Sequence, residues 1–393
     1  MYLKGFNVCI PENLQELKIK ISQYFKEIQS AKTNVDLFNI QKIKTSIPMP
    51  PQYLVYFLLI YFLDFTYAGR WEKIAWSIPI SYKKHNYYLI YSKFGLKIWS
   101  NNPDEQTSDA DEIIQLIHRA IKDANPFFDY IANDAIDSSE LNITNQAISL
   151  FEKYTFFKKK YSQMLKRAES KKDVAIRKKF QHYESVSYPY YDLKKKANWL
   201  KEAMIDAFFA WTEHVFVLLP ILLGNVHNGK EIFSLIADKT WSEKYKLILP
   251  LNNLKNKELY DNLTYIREHF RNHIAHGSFG RDLSSFYFHS YAGAIQFPRL
   301  KHKKQKDKKF EFMWNTTTSN NTQIPKIFEN FIKYLWSGKR AIAKLYIQGN
   351  VLPIYIPFVK ERKYEKAMLS KNNMIDFIDY LHYMEDMGAN MDW

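Results

Sequence analysis

The stretch DLKKKANWLKEAMIDAFFAWTEHVFVLLPILLGN, residues 192–225, decides the fold. Its apolar residues recur at helical spacing and surround the helix almost completely between Phe208 and Leu223. A helix that is apolar on all sides is covered by its neighbours. The pattern therefore predicts a long helix, with Glu213 and His214 as polar groups inside its apolar part.

More helices are predicted on the C-terminal side of this stretch. Residues 230–249 read as a helix pair, with Thr240 or Ser242 as an N-cap. Residues 255–277 read as a further helix that ends at Gly277, a residue type common just beyond helix ends. Its apolar stripe consists of Leu259, Leu263, Ile266, Phe270 and Ile274.

Beyond Gly277 the pattern changes. SSFYFHSYAGAIQF (284–297) and KFEFMW (309–314) predict a strand pair, separated by a basic loop over 299–309. NTTTSNNTQ (315–323) reads as a polar linker, and residues 324–346 as an amphipathic helix. The tail after residue 350 ends in a helix around Ile375 to Met384.

The N-terminal part has a mixed pattern. A helix is expected over residues 11–31, and a second follows Pro50 and Pro51. The apolar run of this second helix, 53–63, is shorter than the roughly 20 residues a membrane span needs, so we expect a core helix. Alternation over 76–102 predicts strands with a turn near Gly95, and Asp109 to Ala124 predicts a helix.

Composition limits the partners. The chain has 393 residues, a net charge of +15 and a pI near 9.3, which favours polyanions such as nucleic acid or an anionic membrane surface. Cys9 is the single cysteine, so an internal disulfide and a cysteine-based zinc site are excluded. We expect a cytoplasmic protein with no signal peptide, since no apolar run opens the sequence.

Basic residues are concentrated in two segments. Residues 145–182 are expected to be helical, and either track phosphates or form an ordinary solvated face. The predicted RNA-binding residues in these two segments are Lys158, Lys159, Lys160, Lys303 and Lys304.

The segment REHFRNHIAHGSFGRD, residues 267–282, concentrates histidine and arginine. His269, His273 and His276 fall within roughly 60° of one another on a helix, so a metal site is one reading. Arg267 and Arg271 would place positive charge beside that metal, which disfavours it. The favoured reading is phosphate chemistry, because arginine binds phosphate oxygens and histidine exchanges protons near neutral pH. Asn272 is suited to orient either group.

RNHIAH, residues 271–276, resembles the RNxxxH form of the Rx4-6H motif of HEPN (higher eukaryotes and prokaryotes nucleotide-binding) ribonucleases. The resemblance covers roughly residues 192–345. It implies an all-α bundle that forms a homodimer, with two motifs making one composite site for RNA cleavage without a metal or cofactor. Carried over, Arg271 binds the scissile phosphate, and His276 is the acid or base.

The resemblance assigns the other residues less firmly. Asn272 matches the polar residue often found after the arginine, and Glu213 matches more loosely an acidic residue on an earlier helix. His273 and Arg267 have no fixed family role and are supporting candidates. The family also implies a toxin of antiphage defence or abortive infection, with an antitoxin, a phage trigger or another partner protein.

Together these patterns predict a mainly α protein with no membrane association. A small α+β N-terminal domain (1–140), sensory or regulatory, precedes a basic helical connector (141–191). A HEPN-like helical bundle (192–346) follows, with a strand-pair insertion near 284–314, and then a helical tail (347–393). The alternatives are a non-catalytic HEPN-like RNA-binding or scaffold protein and a histidine-cluster metalloenzyme.

Overall fold

The computed structural model describes residues 10–31, 39–268, 287–290, 293–296 and 316–391. The chain forms two compact units. The N-terminal unit comprises Met1–Leu141 and Ile378–Trp393, and the helical unit comprises Asn142–Phe377. The described residues are mainly helical, and the one sheet with more than two strands among them lies in the N-terminal unit.

The N-terminal unit is built on a five-stranded antiparallel sheet in the order β1-β3-β4-β5-β2. The alternation that predicted strands over 76–102 is confirmed, as is the turn before Gly95, which has a φ of 92°. The β3–β4 turn consists of Lys83 and Lys84, both with positive φ, as a tight two-residue hairpin turn requires. The strands are β1 (Ile28–Ser30), β2 (Gln41–Lys42), β3 (Ile74–Tyr82), β4 (His85–Ser92) and β5 (Gly95–Ser100).

Helices form one hydrophobic core with this sheet. The apolar run after Pro51 lies in that core, with Val55, Leu58, Leu59 and Phe62 fully buried. The helices are α1 (Gln15–Ser22), α2 (Gln52–Tyr56), which continues as a wider π-helical turn over Phe57–Phe62, α3 (Thr107–Asp123) and α4 (Asn125–Ser138).

This unit differs from the expectations in two places. The helix expected over 11–31 is shorter, because short 3-10 turns flank α1 and the chain then enters the sheet at Ile28. Helix α4 was not predicted. It starts at Asn125 with Pro126 in its first turn, where proline is tolerated because the missing N–H has no helical partner there.

Two long helices, α5 (Ala147–Glu169) and α6 (Pro189–Leu222), lie side by side in the helical unit. The segment 141–191 is therefore not a connector, since α5 packs along α6 as part of the bundle. Nor is the segment helical throughout. A hairpin of β7 (Ile176–Lys179) and β8 (Glu184–Ser187) joins the two helices.

The predicted apolar part of α6 is confirmed as the centre of this unit. Phe208 stacks on Phe328 with ring centroids 3.7 Å apart, and Trp211 and Phe216 are fully buried. The other elements are β6 (Asn142–Ile143), α7 (Gly229–Ala237), α8 (Trp241–Ile248), α9 (Leu254–Ile266), β9 (Tyr287–Ser290), β10 (Gly293–Gln296), α10 (Thr316–Leu335), α11 (Arg340–Ile347), β11 (Ile354–Tyr355), α12 (Ile356–Lys360), α13 (Lys363–Ala367) and α14 (Lys371–Asn390).

The C-terminal half differs from the expectations in three places. β9 pairs with β10, so residues 284–297 contain a hairpin of their own, and the expected pairing with KFEFMW stays a prediction because that segment lies outside the described residues. The segment expected as a polar linker is helical from Thr316 onward. The helix expected over 324–346 breaks after Leu335, where Gly338 has a φ of 59°.

The tail expected over 347–393 is divided between the units. β11 pairs with β6, and both strands belong to the helical unit. Helix α14 starts in the helical unit, whereas its residues from Ile378 onward belong to the N-terminal unit.

Among the described residues, α6 alone is long and apolar enough to cross a membrane by length and composition. In its most apolar window, 78% of the residues are buried inside the protein. A buried core helix of a soluble protein can meet the same criteria of length and composition.

Candidate functional site

Helix α9 leads into the predicted catalytic motif. The side chain of Asn253 accepts hydrogen bonds from the backbone N–H groups of Lys255 and Asn256 and so fixes the N-terminus of the helix. The first three members of the predicted stripe, Leu259, Leu263 and Ile266, are buried. The predicted amphipathic helix is thus confirmed as far as Ile266.

The motif itself lies outside the described residues. This holds for the predicted catalytic residues Arg271, Asn272 and His276, for His273, and for the basic-loop residues Lys303 and Lys304. The last described positions before the motif are Arg267 and Glu268. The roles of the motif residues stay predictions, and the structure describes the groups around Arg267.

Arg267 packs on an aromatic ring. Its guanidinium carbon lies 5.4 Å from the ring centroid of Trp241, a cation–π distance. The indole N–H of Trp241 donates to the hydroxyl of Thr212 at 3.0 Å, so the ring is held against α6. Trp241 opens α8, where Thr240 and Glu243 form a capping box, as the predicted Thr240 cap implies. α6, α8 and the C-terminal end of α9 therefore meet at Arg267.

Glu213 forms an ion pair with Lys244, which was not among the predicted site residues. The ammonium of Lys244 donates to the Glu213 carboxylate at 2.5 Å and to the carbonyl of Ile236 at 3.4 Å. The Lys244 side chain is 4% exposed and that of Glu213 is 42% exposed. A buried ammonium requires an anionic partner, so Glu213 neutralises Lys244 and keeps an accessible face.

A signal for Lys244 was present in the sequence. Trp241, Tyr245 and Ile248 form the buried stripe of α8, and Lys244 lies between them at helical spacing. A lysine on the apolar side of a helix predicts a buried charge and hence a carboxylate on a neighbouring element.

His214 is held in its neutral form. Its Nε2 atom accepts a hydrogen bond from the backbone N–H of Gln146 at 2.9 Å, which places the proton on Nδ1. Burial lowers the pKa of His214, because the charged imidazolium would lose its hydration. His214 thus anchors the start of α5 to α6.

The three predicted RNA-binding lysines of α5 differ in environment. Lys158 pairs with Glu329 of α10 at 2.5 Å. Lys159 and Lys160 are exposed, and the Lys160 ammonium lies 5.7 Å from the ring centroid of Phe156. Lys159 and Lys160 are therefore accessible to phosphates, while Lys158 links two helices.

The segment between α5 and α6 forms a basic and aromatic surface. A helix was expected over its residues up to 182. Every residue from 171 to 188 is exposed. Phe180 and Tyr183 stack at the tip with ring centroids 4.7 Å apart. Three basic residues separate Ile176 from Phe180 in the sequence, so no alternation of apolar and polar residues marks the strand.

The N-terminal unit contains a cavity of about 710 Å³ beside β5. Residues 42–52 and 96–98 line it, among them Lys42, Lys44 and Lys97. The three lysines give the lining a positive charge.

Metal ligands are not clustered in the part of the chain that the structure describes. No group of three or more His, Cys, Asp or Glu side chains there could hold a metal ion. The histidines of the alternative metal-site reading, His269, His273 and His276, lie outside that part.

Comparison with protein-family models, curated proteins and solved structures finds no match to this chain. The function is therefore inferred from the residues and the described geometry.

Proposed function

We propose that this chain is a metal-independent endoribonuclease of HEPN type that cleaves RNA with Arg271 and His276. The observation that carries the proposal is the position of α9 in the sequence. This helix, with a buried stripe at Leu259, Leu263 and Ile266, ends at Ile266, and the sequence RNHIAH begins at Arg271. The unit that contains α9 is mainly helical, and the resemblance to HEPN ribonucleases implies a helical bundle.

The chemistry requires three operations. A base takes the proton from a 2′-hydroxyl, and the resulting oxygen attacks the neighbouring phosphorus. A permanent cation stabilises the added charge on the phosphorane, and an acid protonates the leaving 5′-oxygen. The products are a 2′,3′-cyclic phosphate and a 5′-hydroxyl. His276 is the proton-exchanging group and Arg271 the phosphate ligand, and a homodimer supplies each residue twice.

The surrounding residues have supporting roles in this proposal. Asn272 orients the catalytic pair, and His273 and Arg267 are supporting candidates for contacts with phosphate. Glu213 contributes a carboxylate with an accessible face. Lys159 and Lys160 are exposed and available to the RNA backbone. The N-terminal unit is the candidate sensor for a trigger or partner protein, and the biological role is that of a toxin in antiphage defence or abortive infection.

A non-catalytic RNA-binding or scaffold protein is the second candidate. The exposed cations of the α5–α6 turn favour it as much as they favour the nuclease, because both functions need phosphate contacts. Salt dependence of binding does not separate the two functions. The chemical end groups of the RNA do, since only cleavage makes a 2′,3′-cyclic phosphate.

The test is RNA cleavage in the presence of EDTA by the wild-type chain, Arg271→Ala and His276→Ala. We expect cleavage by the wild type with 2′,3′-cyclic phosphate ends. Each variant should lose at least about a hundredfold in rate, because His276 is the general acid or base and Arg271 stabilises the charge on the phosphorane. Glu268→Gln, which removes a charge beside the motif, is the matched control. Equal cleavage by all four proteins, or none by the wild type, overturns the proposal.

A further inference from the structure

The hairpin of β7 and β8 stands outside the core. Its ladder pairs Ile176 with Ser187 and Lys179 with Glu184, and it extends through a hydrogen bond from the Phe180 N–H to the Tyr183 carbonyl at 2.8 Å. A two-stranded hairpin without a packed face is only marginally stable in water. Since all of its residues are exposed, core packing does not account for its aromatic side chains.

The hairpin tip presents an aromatic pair to solvent. Residues directly opposite each other share a face of a hairpin, and side chains alternate between the faces along each strand. Phe180 and Tyr183 are opposite each other and share their face with Lys178 and Ser185. The interplanar angle of the two rings is 19°, and the residues are 51% and 64% exposed. An accessible, nearly parallel ring pair is suited to stacking on a planar group.

Cations surround this pair. Between residues 166 and 196 the chain has ten basic and four acidic residues. Some of the basic residues are neutralised locally, as in the Arg177–Glu184 pair at 3.8 Å and the Lys194–Glu169 pair at 3.0 Å. Six others have no carboxylate within ion-pair distance in the described part of the chain: Lys166, Arg167, Lys171, Lys172, Lys178 and Lys179.

Aromatic residues continue from the hairpin into the first turns of α6. Tyr188 and Tyr191 are exposed, and so is Trp199 two turns further along. The Lys195 ammonium lies 5.5 Å from the ring centroid of Trp199. Exposed rings therefore continue from the tip of the hairpin to α6, and cations lie on β7 and on the first turns of the helix.

We propose that this surface, residues 166–199, binds single-stranded RNA. The Phe180–Tyr183 pair stacks on bases, and the unpaired lysines neutralise phosphates. The choice of RNA rests on the proposed function, and the proposal adds the place where the substrate strand is held. A single strand fits because stacking requires base faces that a duplex keeps covered. A protein partner fits less well, since the centres of protein interfaces are poor in lysine.

The test measures binding of a fluorescein-labelled, 12-nucleotide single-stranded RNA by anisotropy, using full-length chains that carry His276→Ala to prevent cleavage. Phe180→Ala/Tyr183→Ala should lower the affinity by on the order of tenfold or more, because each stacked base contributes measurably. Phe180→Trp/Tyr183→Trp, which keeps two rings, should bind within about twofold of the parent. Phe233→Ala removes a phenylalanine on α7 that is also 51% exposed, and it should bind as the parent does.

The lysines have a separate readout. Lys178→Ala/Lys179→Ala should make the dependence of log K on log salt shallower by about 1.4, at roughly 0.7 per phosphate contact for single strands. The same proteins are titrated with vesicles that contain phosphatidylserine. Loss of vesicle binding in Phe180→Ala/Tyr183→Ala with unchanged RNA affinity would assign the surface to a membrane and overturn the proposal.

The outcomes separate this proposal from the nuclease. If the wild type cleaves RNA but Phe180→Ala/Tyr183→Ala binds RNA as its parent does, the hairpin proposal fails and the nuclease stands. If the wild type does not cleave but RNA affinity falls in that double variant, the nuclease fails and the hairpin site stands. If the parent does not bind RNA at all, the hairpin proposal fails, and the cleavage assay alone decides the nuclease proposal.

Discussion

The Lys244 ammonium is buried and donates to the Glu213 carboxylate across 2.5 Å, while the carboxylate keeps part of its surface in solvent. The two ends of this pair are not equivalent. Lys244 has exchanged water for the carboxylate and the carbonyl of Ile236. Glu213 remains half-exposed and can be hydrated if its partner is removed. This asymmetry allows the structural role of Glu213 to be separated from a catalytic one.

Replacing Glu213 should lower the free energy of unfolding much more than replacing Lys244. Glu213→Gln leaves the Lys244 charge buried without an anion, so it should cost toward the lower end of about 3–5 kcal/mol in the free energy of unfolding. Lys244→Met replaces the charge with an apolar chain of similar length, and we expect a change within about 1.5 kcal/mol. Urea unfolding followed by circular dichroism measures both.

The double variant Lys244→Met/Glu213→Gln then tests catalysis. It should recover most of the stability that Glu213→Gln loses, because no buried charge remains. RNA cleavage at wild-type rate by this stable variant would remove Glu213 from the catalytic residues. If the double variant loses cleavage while Lys244→Met cleaves fully, Glu213 has a direct role in catalysis. Equal destabilisation by the two single substitutions would contradict the asymmetry.

The spacing of apolar residues predicted the helices in which the buried residues lie at regular helical intervals. The stripes of α3 and α9 and the apolar part of α6 were all read from the sequence, because each buried residue lies at helical spacing from the next. The Lys244–Glu213 pair joins positions 31 residues apart. Its existence depends on how α6 and α8 pack, which no local pattern contains.

The missed elements have local causes as well. The β7–β8 hairpin is fully exposed, so its sequence carries no hydrophobic alternation on a buried face and reads as a basic helix. The turn at Lys83 and Lys84 has positive φ at two residues that seldom adopt it. The strands β3 and β4 impose that conformation, and the turn residues themselves give no signal for it.

The β3–β4 turn is tied to α3 by a network of side chains. Lys83 donates to Asp109 at 3.0 Å and to Glu112 at 2.6 Å, and the hydroxyl of buried Tyr87 donates to Asp109 at 2.9 Å. Burial alone would raise the pKa of Asp109, but the hydrogen bonds from Lys83 and Tyr87 outweigh it and lower that pKa. A lowered carboxyl pKa contributes stability above its unfolded value, and this contribution is lost as the pH falls through the folded value.

Asp109→Ala should cost about 1–3 kcal/mol at pH 7, because the Tyr87 hydroxyl loses its acceptor. Asp109→Asn keeps one acceptor for the Tyr87 hydroxyl but loses the charge and the oxygen that faces exposed Lys83, so it should cost less, about 0.2–1 kcal/mol. The cost of Asp109→Asn should shrink as the pH is lowered through the carboxyl range, since the wild-type carboxylate is then protonated. Asp104→Asn, on the exposed loop before α3, is the charge-matched control and should have no such effect. A cost that does not change with pH would rule out the ionic contribution of Asp109.

His214 gives the helical unit a dependence on mildly acidic pH. Its pKa is lowered by burial, and its Nε2 atom must stay unprotonated to accept from Gln146. The unfolded chain binds a proton at this histidine near its ordinary pKa of 6.5, and the folded chain does so only at lower pH. The contribution of His214 to the free energy of unfolding is therefore expected to be level above about pH 6.5 and to fall as the pH decreases toward the folded pKa.

The variant that tests this is His214→Gln, whose amide oxygen can accept the Gln146 hydrogen bond without titrating. The wild type should lose more stability than His214→Gln between pH 7 and 5.5, measured by urea unfolding at matched ionic strength. His182→Gln, at the exposed hairpin tip, is the matched control and should follow the wild-type curve. Parallel curves for the wild type and His214→Gln would mean that His214 protonates equally easily in both states. The α5–α6 anchor would then not depend on a neutral imidazole.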